Sequence, residues 1–348
     1  MKIIYKIAVV AITILLFSLT GCKKDNAFES IETGQNEPIQ LVHYGGATNR
    51  GTNNILFFDN LDTYKMTLEK LSQDTEAWDD AFVEQWGYLD DDALNAKEEE
   101  LHFDDEKPLT DFENQYGFNS LRQKFNNEIE TWLNNETLDE ANDPNDKYFG
   151  DSVDMTLLGE NGEIQVGESI YKFEKERIIE ITDGDYNKLS LIIQGNTTIL
   201  EDENVIVRNN IKDASICIDS SDSDSNYYYS GMYRIKAQWK LNNYHPFMRP
   251  YFKVKTISYK KRNGRWKRYR TTLESRLKGY LSFELASQAC GAELHYQDRG
   301  RKKRRKRLSY YLKSPDRIFY GSYYSEGVQG LKSIHKQKFT VERWFGSN

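Results

Sequence analysis

The chain has 348 residues, 38% of them hydrophobic, with 47 Lys and Arg against 54 Asp and Glu for a formal net charge of −7. A mean hydropathy of −0.75 describes a polar chain, not a barrel or helical bundle immersed in lipid, and the length supports one large or two ordinary domains with their own cores. The charge is unevenly spread, with −31 summed over residues 23–230 and +22 over residues 231–348.

The first residues, MKIIYKIAVVAITILLFSLTGCKK, place Lys2 and Lys6 ahead of an apolar run from Ile7 to Phe17. So short a run reads as a signal peptide over residues 1–21, because a spanning helix needs roughly 20 apolar residues. Leu19-Thr20-Gly21-Cys22 resembles the lipobox of bacterial lipoproteins. That resemblance implies cleavage before Cys22 and acylation of its thiol, so that the lipid bilayer becomes the first partner. Several fatty chains on one cysteine hold a protein firmly, since each buried methylene contributes roughly 0.8 kcal/mol. The expectation is an exported protein, lipid-anchored to the outer membrane at its periplasmic face or at the cell surface. Cys22-Lys23-Lys24-Asp25 is also similar to the short charged tags of surface-exported Bacteroidetes-type lipoproteins. An uncleaved amino-terminal anchor is the other reading, and it too lies outside the cytoplasm.

Residues 22–54, rich in Gly, Asn, Thr and Glu without sustained period, read as a flexible tether. Residues 55–141 read as helical. Asp59 stands where it can cap a helix carrying Leu61, Tyr64, Leu68 and Leu71, while Trp78, Phe82 and Trp86 form one aromatic ridge. Ser120 precedes a second stripe of Leu121, Phe125, Ile129, Trp132 and Leu133. The acidic runs DDDALNAKEEE and DDEKP read as solvated faces and loops. From NDPNDKYFGD onward, residues 142–348 read as an antiparallel β domain with a basic C-terminal segment, a sandwich in architecture. EIQVG, SIYKF, RIIEIT, KLSLIIQG and NVIVR are its first strands, Ser220 to Asn226 a loop, and Ile235 to Leu241 a half-buried strand. Asn263-Gly264 is the preferred pair for a tight type I′ hairpin turn. The fold class is therefore α+β: a small N-terminal helical domain, then antiparallel sheet.

LFFDNLDTYKMTLEKL, ENQYGFNSLRQKFNNEIETWL, DPNDKYFGDSVDMTLLGENGEIQVGESIYKF and ISYKKRNGRWKRY, in that order, resemble an uncharacterised family of flavobacterial and Bacteroides-type lipoproteins, a domain of unknown function. The resemblance implies the exported compartment and the helical-then-β layout. It supplies no catalytic residues.

Sequence motifs for zinc proteases, nucleophile elbows, P-loops and dinucleotide binding do not occur. The five histidines are scattered, and Asp222, Asp224 and Asn226 start a calcium-loop rhythm that Tyr227 and Tyr233 break. The reading is therefore no metal, no cofactor and no catalytic residue. Cys217 and Cys290, the thiols left after Cys22, form either a disulfide or two buried free thiols, since spacing does not fix the geometry.

Residues 231–348 hold 29 Lys and Arg against 7 acids, interleaved with Trp239, Trp266 and 12 tyrosines. Cations beside aromatic rings are the parts of a polyanion or glycan surface. The candidates are Lys260, Arg262, Arg265 and Lys267, on one face of the hairpin, and Arg301, Lys302, Lys303, Arg304, Arg305, Lys306 and Arg307, read as a charged loop between strands. Solvated charge, or cover by the acidic half of the chain, is the competing reading. The leading function is a non-enzymatic binding module for an anionic polysaccharide, lipopolysaccharide or a protein partner. A structural subunit beside an outer-membrane protein partner and a hydrolase with an unrecognised site are the alternatives. Nucleic acid is not expected as a partner outside the cytoplasm.

Overall fold

The computed structural model describes residues 37–44, 53–135, 139–148, 150–175, 177–209, 222–242, 247, 251–284, 295–313, 318–320, 323–329 and 337–341. Residues 1–21, read as a signal peptide, and Cys22, Cys217 and Cys290 lie outside the described residues. Pro38–Asn348 forms one compact unit, distinct from Met1–Glu37.

Six strands form the first sheet, in spatial order β1 (Ile39–Tyr44), β2 (Asn53–Phe58), β3 (Glu163–Val166), β4 (Ser169–Phe173), β5 (Arg177–Ile181) and β6 (Val205–Asn209). Every neighbouring pair is antiparallel except β2 and β3, where Phe57 lies beside Gln165 in a parallel pair. A parallel pair needs a crossover connection. The helical region supplies it, so this region is an insertion within a sheet and not a domain that precedes one. β1 and the start of β2 fall inside residues 22–54, the stretch read as a tether, so that part of it is strand. IQLVHY becomes a strand because β2 supplies its hydrogen-bond ladder, from Ile39 beside Phe58 to Tyr44 beside Asn53.

The crossover holds α1 (Leu61–Trp86), α2 (Asp91–Glu100), α3 (Lys107–Tyr116), α4 (Leu121–Asn134) and α5 (Ser152–Thr156). The Asn60 side chain caps α1 by accepting the Thr63 N–H, while Asp59 takes the Thr63 hydroxyl instead. Ser120 caps α4 as the sequence predicts. Period-two alternation sends Leu56, Phe58, Ile164 and Phe173 to one side of the sheet, into a core with Tyr64, Leu71, Leu109, Phe125 and Ile129 from the helices. Ile55, Ile170, Ile179 and Ile181 go to the other side, under Leu189 and Ile192.

Those last two belong to α6 (Tyr186–Ile193), the segment KLSLIIQG that β-branched composition assigns to a strand. Asp185 caps it through the Asn187 N–H. Leu189 and Ile192, three apart, give the helix the one apolar face it needs to cover the sheet.

The C-terminal half builds two further antiparallel sheets. One runs β10 (Arg265–Arg268), β9 (Tyr251–Arg262), β8 (Tyr233–Asn242), β7 (Asp222–Ser230), with β13 (Arg307–Lys313) also on β9. The other runs β12 (His295–Arg305), β11 (Thr271–Glu284), β15 (Tyr323–Gln329), β16 (Gln337–Val341), with β14 (Ile318–Tyr320) also on β11. The Ser/Asp-rich stretch read as a loop is largely strand β7, because its backbone pairs rung by rung with β8 from Asp222 beside Leu241 onward. The Asn263-Gly264 turn forms as predicted, with φ of 50° and 81° at its two residues.

Candidate functional site

The basic run is a strand, not a loop. Arg301 to Arg305 end β12, paired with Thr271 to Ser275 of β11, and Arg307 begins β13 after a bend at Lys306. Seven like charges tolerate regular structure here because carboxylates meet them. Glu76, Asp79 and Asp80 sit three and four apart on α1 and so share one face. Arg301 and Lys303 reach Glu76, Lys303 also reaches Asp80 at 2.6 Å, and Arg305 takes Asp80 together with Asp79 at 2.7 Å. Arg304 binds Asp91 and donates to the Gly87 carbonyl at 2.9 Å. Lys306 lies 3.3 Å from Asp105, and Arg307 lies 2.5 Å from Glu106. Lys302 points to solvent with no ion pair among the described residues.

The two acidic runs read as solvated faces are therefore half of an internal seam. Arg270, fully buried, lies 2.6 Å from both Asp79 and Glu98 and ties α1 to α2. Burial pushes the Asp79 and Glu98 carboxyls up, against the pull of Arg270 on both. Asp105 and Glu106, despite burial, are held below the ordinary carboxylate range by Lys306 and Arg307 on the first and by Arg307 and Arg122 on the second. Such pairs add little net stability over an apolar core, yet removing one partner strands a buried charge.

The hairpin divides by face. Its register sets Arg262 beside Arg265 and Lys260 beside Lys267, the common face expected from alternation. That face is largely engaged: Lys260 lies 2.5 Å from Asp92, Arg262 lies 3.3 Å from Glu99 and Lys267 3.6 Å from Glu99. Arg265, at the exposed turn, has no ion pair among the described residues.

The opposite face holds what alternation of charge alone does not reveal. Trp266, beside Lys261 in the register, meets Tyr229 edge-on at 6.0 Å between ring centres. The Lys261 ammonium lies 6.0 Å from the Trp266 ring and has no carboxylate at ion-pair distance among the described residues. Tyr229 and Met232, at the neighbouring β7–β8 turn, are 50% and 57% exposed. Beneath them Arg234 is fully buried, and none of its guanidinium nitrogens has a hydrogen-bond acceptor among the described residues. Its guanidinium carbon lies 4.4 to 5.9 Å from the ring centres of Tyr259, Trp266, Tyr227, Trp132 and Tyr229. Cation–π attraction to several ring faces replaces the missing counter-ion. The tips thus present the exposed Tyr229 ring and the half-buried Trp266 ring above a buried guanidinium that has no carboxylate at ion-pair distance among the described residues.

Further along the same face of that sheet, lysines occupy consecutive rungs: Lys240 beside Lys253, and Lys255 beside Gln238. Asp151 and Asp154, which cap α5 in a reciprocal capping box, approach from the helical side. Lys253 lies 3.8 Å from Asp151, which also accepts the Tyr311 hydroxyl. Burial and the Asp151 charge push Asp154 up to about 7, while Lys253 and the Tyr311 bond bring Asp151 to about 2 against its own burial. Burial and neighbouring Lys253 pull Lys240 down to about 7 and Lys255 well below the usual lysine range.

A concavity of about 490 Å³ opens at the carboxyl ends of β2 and β3, lined by Asp59, Gln165, Glu168 and Asp183 among others. Two of its acids are already engaged, Asp59 by Thr63 and Asp183 by Lys188. No group of three or more His, Cys, Asp or Glu arranged to hold a metal occurs among the described residues. No described helix is long and apolar enough to cross a membrane.

No protein-family model matches the chain, and no curated protein matches it. Among solved structures it is similar to the crystal structure of a DUF4848 family protein from Bacteroides thetaiotaomicron, at 12% identity and a TM-score of 0.18, over 81% of this chain and 93% of that one. So slight a likeness carries no role across.

Proposed function

We propose that this is an exported cell-envelope lipoprotein, anchored to the outer membrane through acylated Cys22, that acts as a non-enzymatic binding module for an anionic glycan, whether acidic polysaccharide or lipopolysaccharide. The observation that carries this reading is the pair of hairpin tips, where the exposed ring of Tyr229 and the half-buried ring of Trp266 stand over the caged Arg234, with Lys261 beside them. Sugar rings stack on aromatic faces, and a cation with no internal counter-charge favours acidic sugars over neutral ones. In this reading the run from Arg301 to Arg307 is internal mortar, because its charges other than Lys302 are already matched, and the ligand surface moves to the tips. The same reading takes the second and third sheets as the leaves of a sandwich. Support comes from the Ser275 hydroxyl of β11, which donates to the Leu308 carbonyl of β13 and lies 2.8 Å from Thr256 of β9.

Retention of the purified protein on immobilised anionic polysaccharide tests the ligand class. Retention should weaken as salt screens the contacts and fall at least several-fold in Lys261→Ala/Trp266→Ala, while Lys302→Ala leaves it unchanged. Full retention in the double variant would remove the tips from the reading. Fractionation of cells carrying Cys22→Ala tests the anchor, and that protein should leave the membrane fraction.

A further inference from the structure

Behind the lysine rungs lies a cavity of about 20 Å³, lined by Gln238, Lys240, Lys253, Lys255, Asn145 and Tyr148 among others. That is room for one water or one monatomic ion. We infer that this cavity is a binding site for a small inorganic anion of halide size, which bridges the ammonium groups of Lys253 and Lys255 between the sheet and the helical insertion.

Three observations converge on it. Like charges set directly opposite one another across two strands repel, and Lys240 faces Lys253 with Lys255 one rung further along β9. The carboxylates are too few. Asp151 alone lies within ion-pair distance of Lys253, at 3.8 Å, and Lys255 has no carboxylate at that distance among the described residues. The seam one layer away shows the contrast, since each of its cations from Lys303 to Arg307 has at least one carboxylate partner. Asp154, the other acid at hand, holds its proton up to about pH 7. Arg268, on the same face beside Tyr259, leaves its buried Nε without an acceptor among the described residues. Around Lys253 and Lys255 the field is positive, with one carboxylate, Asp151, at ion-pair distance among the described residues. The competing outcome is that the lysines shed their protons instead, as the lowered Lys240 and Lys255 values allow.

Thermal unfolding of the purified protein in sodium gluconate and in sodium chloride or bromide, at one ionic strength, separates the two. Occupancy about tenfold above the dissociation constant should raise the midpoint by roughly 3 °C in halide. Lys255→Met should abolish that difference. Crystals soaked in bromide should show an anomalous peak between Gln238, Lys253 and Lys255, a result that needs no variant to fold. Equal midpoints in gluconate and halide with no bromide peak in the cavity would overturn the inference. So would a halide effect that survives in folded Lys255→Met.

Discussion

Two basic regions of one chain meet opposite fates. The run from Arg301 to Arg307 carries the densest charge in the sequence, yet every cation from Lys303 to Arg307 finds a carboxylate on α1, α2 or the turn at Asp105 and Glu106. The hairpin tips carry fewer charges, but among the described residues Lys261 and Arg265 lack ion pairs there and Arg234 meets aromatic rings and no carboxylate at ion-pair distance. Charge density along a sequence therefore does not tell which cations the fold leaves unmatched.

The sharpest way to break this contrast is at the seam. Arg270→Ala would leave Asp79 and Glu98 buried without their shared guanidinium, and should cost about 3–5 kcal/mol, read as a lowered midpoint in urea. A loss below about 1 kcal/mol would mean that water already reaches these groups and that the seam is surface charge. The lysine rungs lie between the two extremes. Asp154, raised to about 7 in the folded chain, contributes stability that is present below its ordinary value near 4 and is lost as pH rises through 7. Asp154→Asn removes that loss while still able to accept the Asp151 N–H. It should match the parent near pH 4 and exceed it by roughly 1–3 kcal/mol at pH 7.5. Denaturation of both proteins at the two values checks the sign. The smallest effect belongs to the tips, where Lys261→Ala and Trp266→Ala together should retain a parent-like unfolding midpoint, to within about 1 kcal/mol, while losing ligand. A large loss of stability there would make the patch another seam.

Local chemistry carried far along this chain. The stripe from Leu121 to Leu133 forms α4 behind its Ser120 cap, and Asn263-Gly264 turns the hairpin, because capping and turn preferences act within a few residues. KLSLIIQG escaped, since a short apolar run suits a buried strand or a buried helix equally, and only the capping bond from Asp185 and the sheet beneath decided it. IQLVHY escaped for a similar reason: a strand is defined by its partner, and β2 lies beyond a Gly- and Asn-rich stretch. Glu76, Asp79 and Asp80 were legible as a three- and four-residue acidic stripe, but the Trp78, Phe82 and Trp86 ridge beside them is the stronger local signal.

The sequence by itself determined the helix start at Ser120, the tight turn and the separation of acidic from basic halves, all of which follow from residue type at short range. Tertiary structure alone decided that the acidic half neutralises the basic run, that the helices bridge a parallel strand pair, and that five rings close around Arg234. Those outcomes depend on which distant surfaces meet. Electrostatic matching and burial are properties of the contact, not of either segment that makes it.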